Sequence, residues 1–151
     1  MFNSIKPRKI KNEILSGFGV DEKVASSFLN ALRIVRNICA HHGRLWNKRL
    51  FSNFKAPTRP ETLSSTINYP AIDESDSDED KSKKLEIQKS IYNILVMLIF
   101  FVEKIAPQSK WSKRLLVFLT DKNNSQYLTE MGFPCDWQSR PIWHSLIEKS
   151  K

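Results

Sequence analysis

Apolar residues recur at helical spacing along most of this chain, and nowhere in the strict alternation of a strand. Ile10, Ile14 and Leu15 define a short first helix over residues 5–17, with Pro7 suited to its first turn and Gly17 or Gly19 to its stop. Asp21 is placed to cap a second, stronger helix. On it Val24, Phe28, Ala31, Val35, Ile38 and Cys39 keep one apolar face until about His42, and Gly43 ends it. Residues 51–80 break the pattern. Pro57, Pro60 and Pro70 interrupt any helix, Ser and Thr are frequent, and the run Asp73–Asp80 (DESDSDED) closes the segment. This predicts a long, partly disordered acidic loop whose acids precede the next helix, where the dipole favours them. A third helix is predicted over residues 82–105. It is apolar nearly all round (Leu85, Ile91, Leu95, Leu98, Ile99, Val102) and so belongs in the middle of a bundle. Pro107 ends it. Ser109 can cap a fourth helix with Trp111, Leu115, Phe118 and Leu119 facing inward, and a short fifth over residues 126–131 stops at Gly132. The tail FPCDWQSRPIW is expected to be irregular chain that packs Trp137 and Trp143 back onto the bundle. The fold class that follows is all-α, a bundle of four to five helices in a single domain over residues 1–151, with 51–80 as a loop insertion.

Composition agrees with that reading and adds a charge. The 151 residues, 40% hydrophobic with nine Phe and four Trp, suffice for a core without disulfides or a metal, and only four Gly argue against a turn-rich β fold. Cys39 and Cys135 fit no metal or redox spacing, which suits a reducing compartment. Residues 1–17 are charged and lack the apolar stretch of a signal peptide. The longest apolar run, Ile94–Val102, is far shorter than the about 20 residues a bilayer span needs. A cytoplasmic protein with no membrane partner is therefore expected. Net charge is +8, yet six of the sixteen acids lie in the Asp73–Asp80 block, so ten acids face twenty-four Lys and Arg elsewhere, a balance of +14. A polyanionic partner, RNA in particular, fits this balance, as does general solubility. Asp76, Asp78 and Asp80 briefly resemble a calcium loop, but Lys81 and Ile87 stand where that loop needs Gly and Glu.

Candidate chemistry gathers in the second helix. At about 100° per residue from Arg33, Asn37 falls near 40°, His41 near 80°, Arg36 near −60° and, were the helix to continue, Arg44 near 20°. These five polar residues share one stripe, opposite the apolar face. His42 falls among the apolar residues, where a packed or hydrogen-bonded structural role is the default. His41 lies one turn after Asn37, whose amide can orient it, beside two or three guanidinium groups. Attack of a ribose 2′-hydroxyl on the adjacent phosphate needs a group that moves protons near neutral pH, which imidazole does. It also needs charge stabilisation on the phosphoryl oxygens, which guanidinium supplies. No acidic cluster at metal-ligand spacing accompanies the stripe, so no metal and no cofactor are called for. Taken on spacing alone, such a stripe is also what an ordinary solvated helix face looks like.

The run Arg36-Asn37-Ile38-Cys39-Ala40-His41-His42-Gly43-Arg44-Leu45-Trp46-Asn47 closely resembles the RNICAHHxRLWN signature of the Abi-like (abortive infection, AbiD/AbiF-type) family of bacteria. Downstream, Trp111 with Arg114 and Leu115, and Met131-Gly132-Phe133-Pro134 with Asp136-Trp137, resemble further segments of that family. The family is grouped with the HEPN superfamily, whose hallmark of Arg, a polar residue, three variable positions and His is matched by Arg36, Asn37 and His41. The resemblance implies a helical domain acting as a metal-independent endoribonuclease in antiphage defence, toxin-like. It further implies that Arg36 and His41 are catalytic, that Asn37 supports them, and that Arg33, Arg44 and Lys48 hold RNA. Such domains typically pair so that two motifs face one another, which implies a homodimer. An antitoxin is a further implied partner. Family members are usually about twice as long with the signature in their second half, so the chain is expected to correspond to the C-terminal half, with an N-terminal half as a missing partner. The alternative is a non-catalytic RNA- or protein-binding module, or the scaffold half of a larger defence protein.

Overall fold

The computed structural model describes residues 8–48, 50 and 55–150. Among them the chain is all-helical, without strands: α1 (Arg8–Ser16), α2 (Glu22–Ala40), α3 (Glu61–Ser64), α4 (Asp78–Gln88), α5 (Ile91–Ile105), α6 (Trp111–Thr120) and α7 (Pro141–Glu148). Two 3-10 turns, Ser125–Tyr127 and Trp137–Ser139, join the last elements.

The apolar run of α5 places it at the centre, against α2, α3, α6 and α7. Ile91, Ile94, Val96, Met97 and Ile99 are all buried along it. By length and composition Asp78–Ile105 would suffice to cross a membrane, but 56% of its most apolar window is buried inside the protein, as in a core helix.

The fifth helix expected over residues 126–131 is only the 3-10 turn Ser125–Tyr127, and three larger features depart from the sequence expectation, each for a local reason. The helix expected over residues 82–105 is two helices, broken at Lys89–Ser90. Both free ends at the break find tertiary partners: the Leu50 N–H donates to the Lys89 carbonyl (3.1 Å), and the Tyr92 N–H donates to the Met131 carbonyl (3.0 Å). Gly132, at φ 83°, closes against this break, and a Cβ there would run into the Ser90 side chain. The tail, expected to be irregular, forms α7 with Pro141 at its start, where a missing N–H costs nothing. Its tryptophans do pack inward, as expected, with Trp143 fully buried.

The third departure is the acidic segment. Over residues 55–80 it is anchored rather than loose. Leu63 and Ile67, four residues apart, bury with Thr66 between them. Core side chains satisfy the backbone of this segment. Tyr92 Oη donates to the Thr66 carbonyl (2.7 Å), and the buried Asn93 accepts from the Asn68 N–H (2.9 Å) while donating to the Asn68 carbonyl (2.8 Å). Arg140 Nη1 donates to the carbonyls of Thr66 and Ile67, both at 3.1 Å, and Gln88 Nε2 to that of Pro70. The acids do begin a helix: Ser77 caps α4, accepting from the Asp80 N–H, and Asp78, Glu79 and Asp80 fill its first turn. Lys84 pairs with Asp76 at 2.6 Å, and hydrogen bonds from Lys84 and the Asp73 N–H hold that carboxyl below its ordinary range.

Around this anchor Tyr92, Phe133, Trp137 and Trp143 form an aromatic cluster. The Phe133–Trp137 and Trp137–Trp143 rings meet edge to face at 5.2 and 5.0 Å. Such pairs contribute about 0.5–1.5 kcal/mol each beyond the area they bury. The cluster adjoins the α4–α5 break, since Tyr92 belongs to both. The candidate site lies elsewhere.

Candidate functional site

The long helix α2 presents two different faces. Val24, Phe28 and Ala31 are buried, and Val35 and Ile38 pack at the core's edge. Asp21 takes the capping position, though its side chain makes no capping hydrogen bond. On the other side Arg33 and Arg36 are exposed and Asn37 is half-buried.

The helix stops at Ala40, earlier than the sequence suggests, and the way it stops shapes the site. His41 is its last, half-helical residue. His42 adopts a left-handed conformation, φ 52°, with its N–H donating to the Cys39 carbonyl (3.1 Å). The Gly43 N–H then donates to the Ile38 carbonyl (2.8 Å). This pair of bonds is the Schellman closure, in which glycine usually holds the left-handed position; here histidine does. Glycine is needed one residue later, because a Cβ at position 43 would meet Ile38 Cγ2 at 2.9 Å.

Four local expectations change with this geometry. Arg44 has left the helix and does not continue its stripe; its guanidinium stands over the Trp46 ring at 5.8 Å. His42 is exposed and takes part in no side-chain packing, because the left-handed turn swings it away from the apolar face where a continuous helix would carry it. Cys39, expected on the apolar face, is exposed as well. The Asn37 amide oxygen accepts from Arg36 Nη1 (3.3 Å) instead of engaging His41, and only the backbone joins the latter pair, His41 N–H to the Asn37 carbonyl (3.1 Å).

The outcome is an exposed corner carrying Arg36, His41, His42, Arg44 and Lys48, with Asn37 beside them. Arg33 stands one turn back, its Nη2 donating to Asn30 Oδ1 (3.1 Å). The corner is fastened from below. Leu45 packs on the core, the Lys48 N–H donates to the Leu45 carbonyl (3.0 Å), and Leu50 is buried. Trp46 lies against Tyr127, ring centres 5.0 Å apart. Chemically the corner offers imidazoles that can take and give protons, and guanidiniums that can hold a phosphate. Among the described residues no group of three or more His, Cys, Asp or Glu could hold a metal ion.

Sequence reasoning missed His42 as a surface group, and the signal was present: the His-Gly pair at a helix end is what a Schellman closure looks like, with the wrong residue first. It also missed the role of Trp46, whose aromatic partner lies 81 positions away at Tyr127.

Residues 1–47 match the family model described as Abi-like protein. The match takes in α1, α2 and the corner as far as Asn47, while the runs around Trp111 and Met131 lie outside it. No curated protein matches the chain, and neither does any solved structure.

Proposed function

We propose, starting from that Abi-like match, that the chain is an RNA-cleaving domain of an abortive-infection system, working without a metal through the corner at the end of α2. One observation supports the reading: Arg36 and His41, the two residues the chemistry needs most, are both exposed, the first in the last turns of α2 and the second at its end.

In the reaction the ribose O2′ bonds to the adjacent phosphorus and the P–O5′ bond breaks. One proton leaves O2′ and one reaches O5′, giving a 2′,3′-cyclic phosphate and a free 5′-hydroxyl. His41 serves as the proton-transfer group, and Arg36 holds the phosphoryl oxygens as their charge grows. Asn37 positions the Arg36 guanidinium. Arg33, Arg44 and Lys48 hold the flanking phosphates, and His42 offers a second imidazole at the same corner.

A convex corner on one copy does not surround a substrate, so a second copy supplies the other wall. An apolar groove of about 370 Å³ between α1, α2 and α5 supports this pairing. Its α2 residues Ala25, Leu29 and Leu32 precede Arg36 at spacings of four, three and four, the seam along which helices pair. Two copies meeting there would bring their Arg36 residues toward one axis.

The test is incubation of purified protein with total RNA in EDTA. The expected result is cleavage leaving 2′,3′-cyclic phosphate ends, DNA untouched, and loss of cleavage in Arg36→Ala and His41→Ala. Undiminished cleavage by the Arg36→Ala/His41→Ala double variant would overturn the assignment. Salt-sensitive RNA binding without product, even after long incubation, would favour the non-catalytic module instead. Leu29→Glu should yield a monomer by light scattering if the pairing is right.

A further inference from the structure

The sequence pattern sends Trp111 and Phe118 inward, and the structure does not. The buried face of α6 is Ser112, Leu116 and Leu119. Trp111, Val117 and Phe118 are 37%, 70% and 55% exposed, large apolar groups that the core leaves in water. They are interleaved with cations. Arg114 sits between Trp111 and Phe118 on one helical stripe, at spacings of three and four, and Lys110 and Lys113 flank it.

Two depressions adjoin this face. An open groove of about 570 Å³ is lined by Gln108, Ser109, Lys110, Lys113, Arg114 and Val117 together with Pro107, three cations and no carboxylate. A second, of about 230 Å³, is walled by the rings of Trp46, Phe118 and Tyr127, with Asn124 at its side. Trp46 is also the ring beneath the Arg44 guanidinium. Val117 lines the first depression and its neighbour Phe118 the second, so both open on α6, and Trp46 ties the second to the corner at the end of α2.

We propose that this surface is a binding track for single-stranded RNA, with bases stacking on Tyr127 and Phe118 and backbone phosphates held by Lys110, Lys113 and Arg114. Exposed rings alternating with cations are what an unpaired strand needs, since every base has a face to stack and every step a phosphate to neutralise. A base-paired helix hides its faces and cannot use the rings. An anionic membrane is the competing partner for such a helix. A membrane-lying face, however, keeps its cations at the edges of an uninterrupted apolar middle, and here Arg114 interrupts it. The choice of RNA over DNA rests on the cleavage proposed above; the choice of an unpaired strand rests on α6 alone.

The experiment is fluorescence anisotropy with a labelled oligouridine, using the 151-residue chain with His41→Ala so that the probe stays intact. The expected result is measurable binding that weakens about tenfold or more on Phe118→Ala, the loss of one stacked base. Lys110→Glu/Arg114→Glu should weaken it further, and Lys83→Glu/Lys81→Glu, an equal change of charge on α4, much less. Phe118, Lys110, Arg114 and Lys83 are exposed, while Lys81 is half-buried and donates to the Glu74 carbonyl, so thermal melting of each variant separates a lost contact with RNA from a lost fold. Absence of binding, equal loss in the α4 control, preference for duplex RNA, or capture by phosphatidylglycerol vesicles in place of RNA would each overturn the track. Failure of cleavage in the parent protein alongside α6-dependent binding would refute the nuclease and leave the track. Cleavage with indifferent α6 variants would do the reverse.

Discussion

Two regions of this molecule, the aromatic cluster and the α2 corner, use similar residues in opposite ways. In the aromatic cluster Trp137, Trp143 and Phe133 are buried, and Arg140 bridges Asp136 and two carbonyls of the acidic segment. At the α2 corner the arginines point outward, and the tryptophan lies at the surface under a guanidinium. Packing accounts for the buried residues of the first and, at the corner, for Gly43, Leu45 and Trp46, but not for the exposed Arg36 and His41. A residue type therefore says little until its surroundings are known. An arginine that holds two backbone carbonyls maintains the fold, and one exposed beside an imidazole is available for chemistry.

This contrast can be broken in order of decreasing effect. Trp143→Ala, deep in the aromatic cluster, should cost about 3–5 kcal/mol in denaturant unfolding, as large aromatic truncations in a core do. A cost below about 1 kcal/mol would show that the cluster is not the keystone described. Arg140→Ala should cost roughly 1–3 kcal/mol, since it strands the Thr66 and Ile67 carbonyls. At the corner, Arg36→Ala and His41→Ala should leave thermal unfolding within about 0.5 kcal/mol of the parent, as surface changes do, while abolishing cleavage.

His42→Gly sharpens the comparison further. The left-handed backbone at position 42 favours glycine, so this substitution should be neutral or stabilise by up to about 1 kcal/mol. A clear loss would return His42 to the packed role that the sequence suggested.

A last effect is confined to high pH. Burial pushes the Tyr92 phenol up to about 12 from the ordinary 10.0, against a weaker opposing pull from the charge of Arg140. The folded state thus keeps the proton that the unfolded chain releases. The associated stability is complete below pH 10 and disappears as pH climbs through 12. Tyr92→Phe should flatten this part of the stability–pH curve; an unchanged slope would place the effect elsewhere.

Much of the fold was legible in the sequence, and the reasons are visible. The 3.6-residue period of α2 and the continuous apolarity of α5 survive any tertiary context, so both helices and the central place of α5 could be read directly. What could not be read was decided by distant partners. The break at Ser90 depends on carbonyl and amide groups from residues 50 and 131, and the anchoring of residues 55–80 depends on Tyr92, Asn93 and Arg140. For α6 the apolar period was right, but two overlapping stripes were available, and packing chose Ser112, Leu116 and Leu119 over Trp111 and Phe118. At the corner, spacing put Arg36 and His41 on the polar side of α2, where both are exposed, while their proposed roles came from the family resemblance. The exposure of His42 and the departure of Arg44 from the helix follow from where α2 ends, which a helical wheel does not contain.

The joint between α4 and α5 has a mechanical consequence. It is gripped on one side by Leu50, three residues past Asn47, and on the other by Met131, next to the aromatic cluster. The strand leaving the corner and the turn feeding the cluster are thus hooked to a single hinge pin, and neither can peel away without loosening the other. Amide protons of Leu50 and Tyr92 should accordingly exchange with solvent together, as one latch releasing.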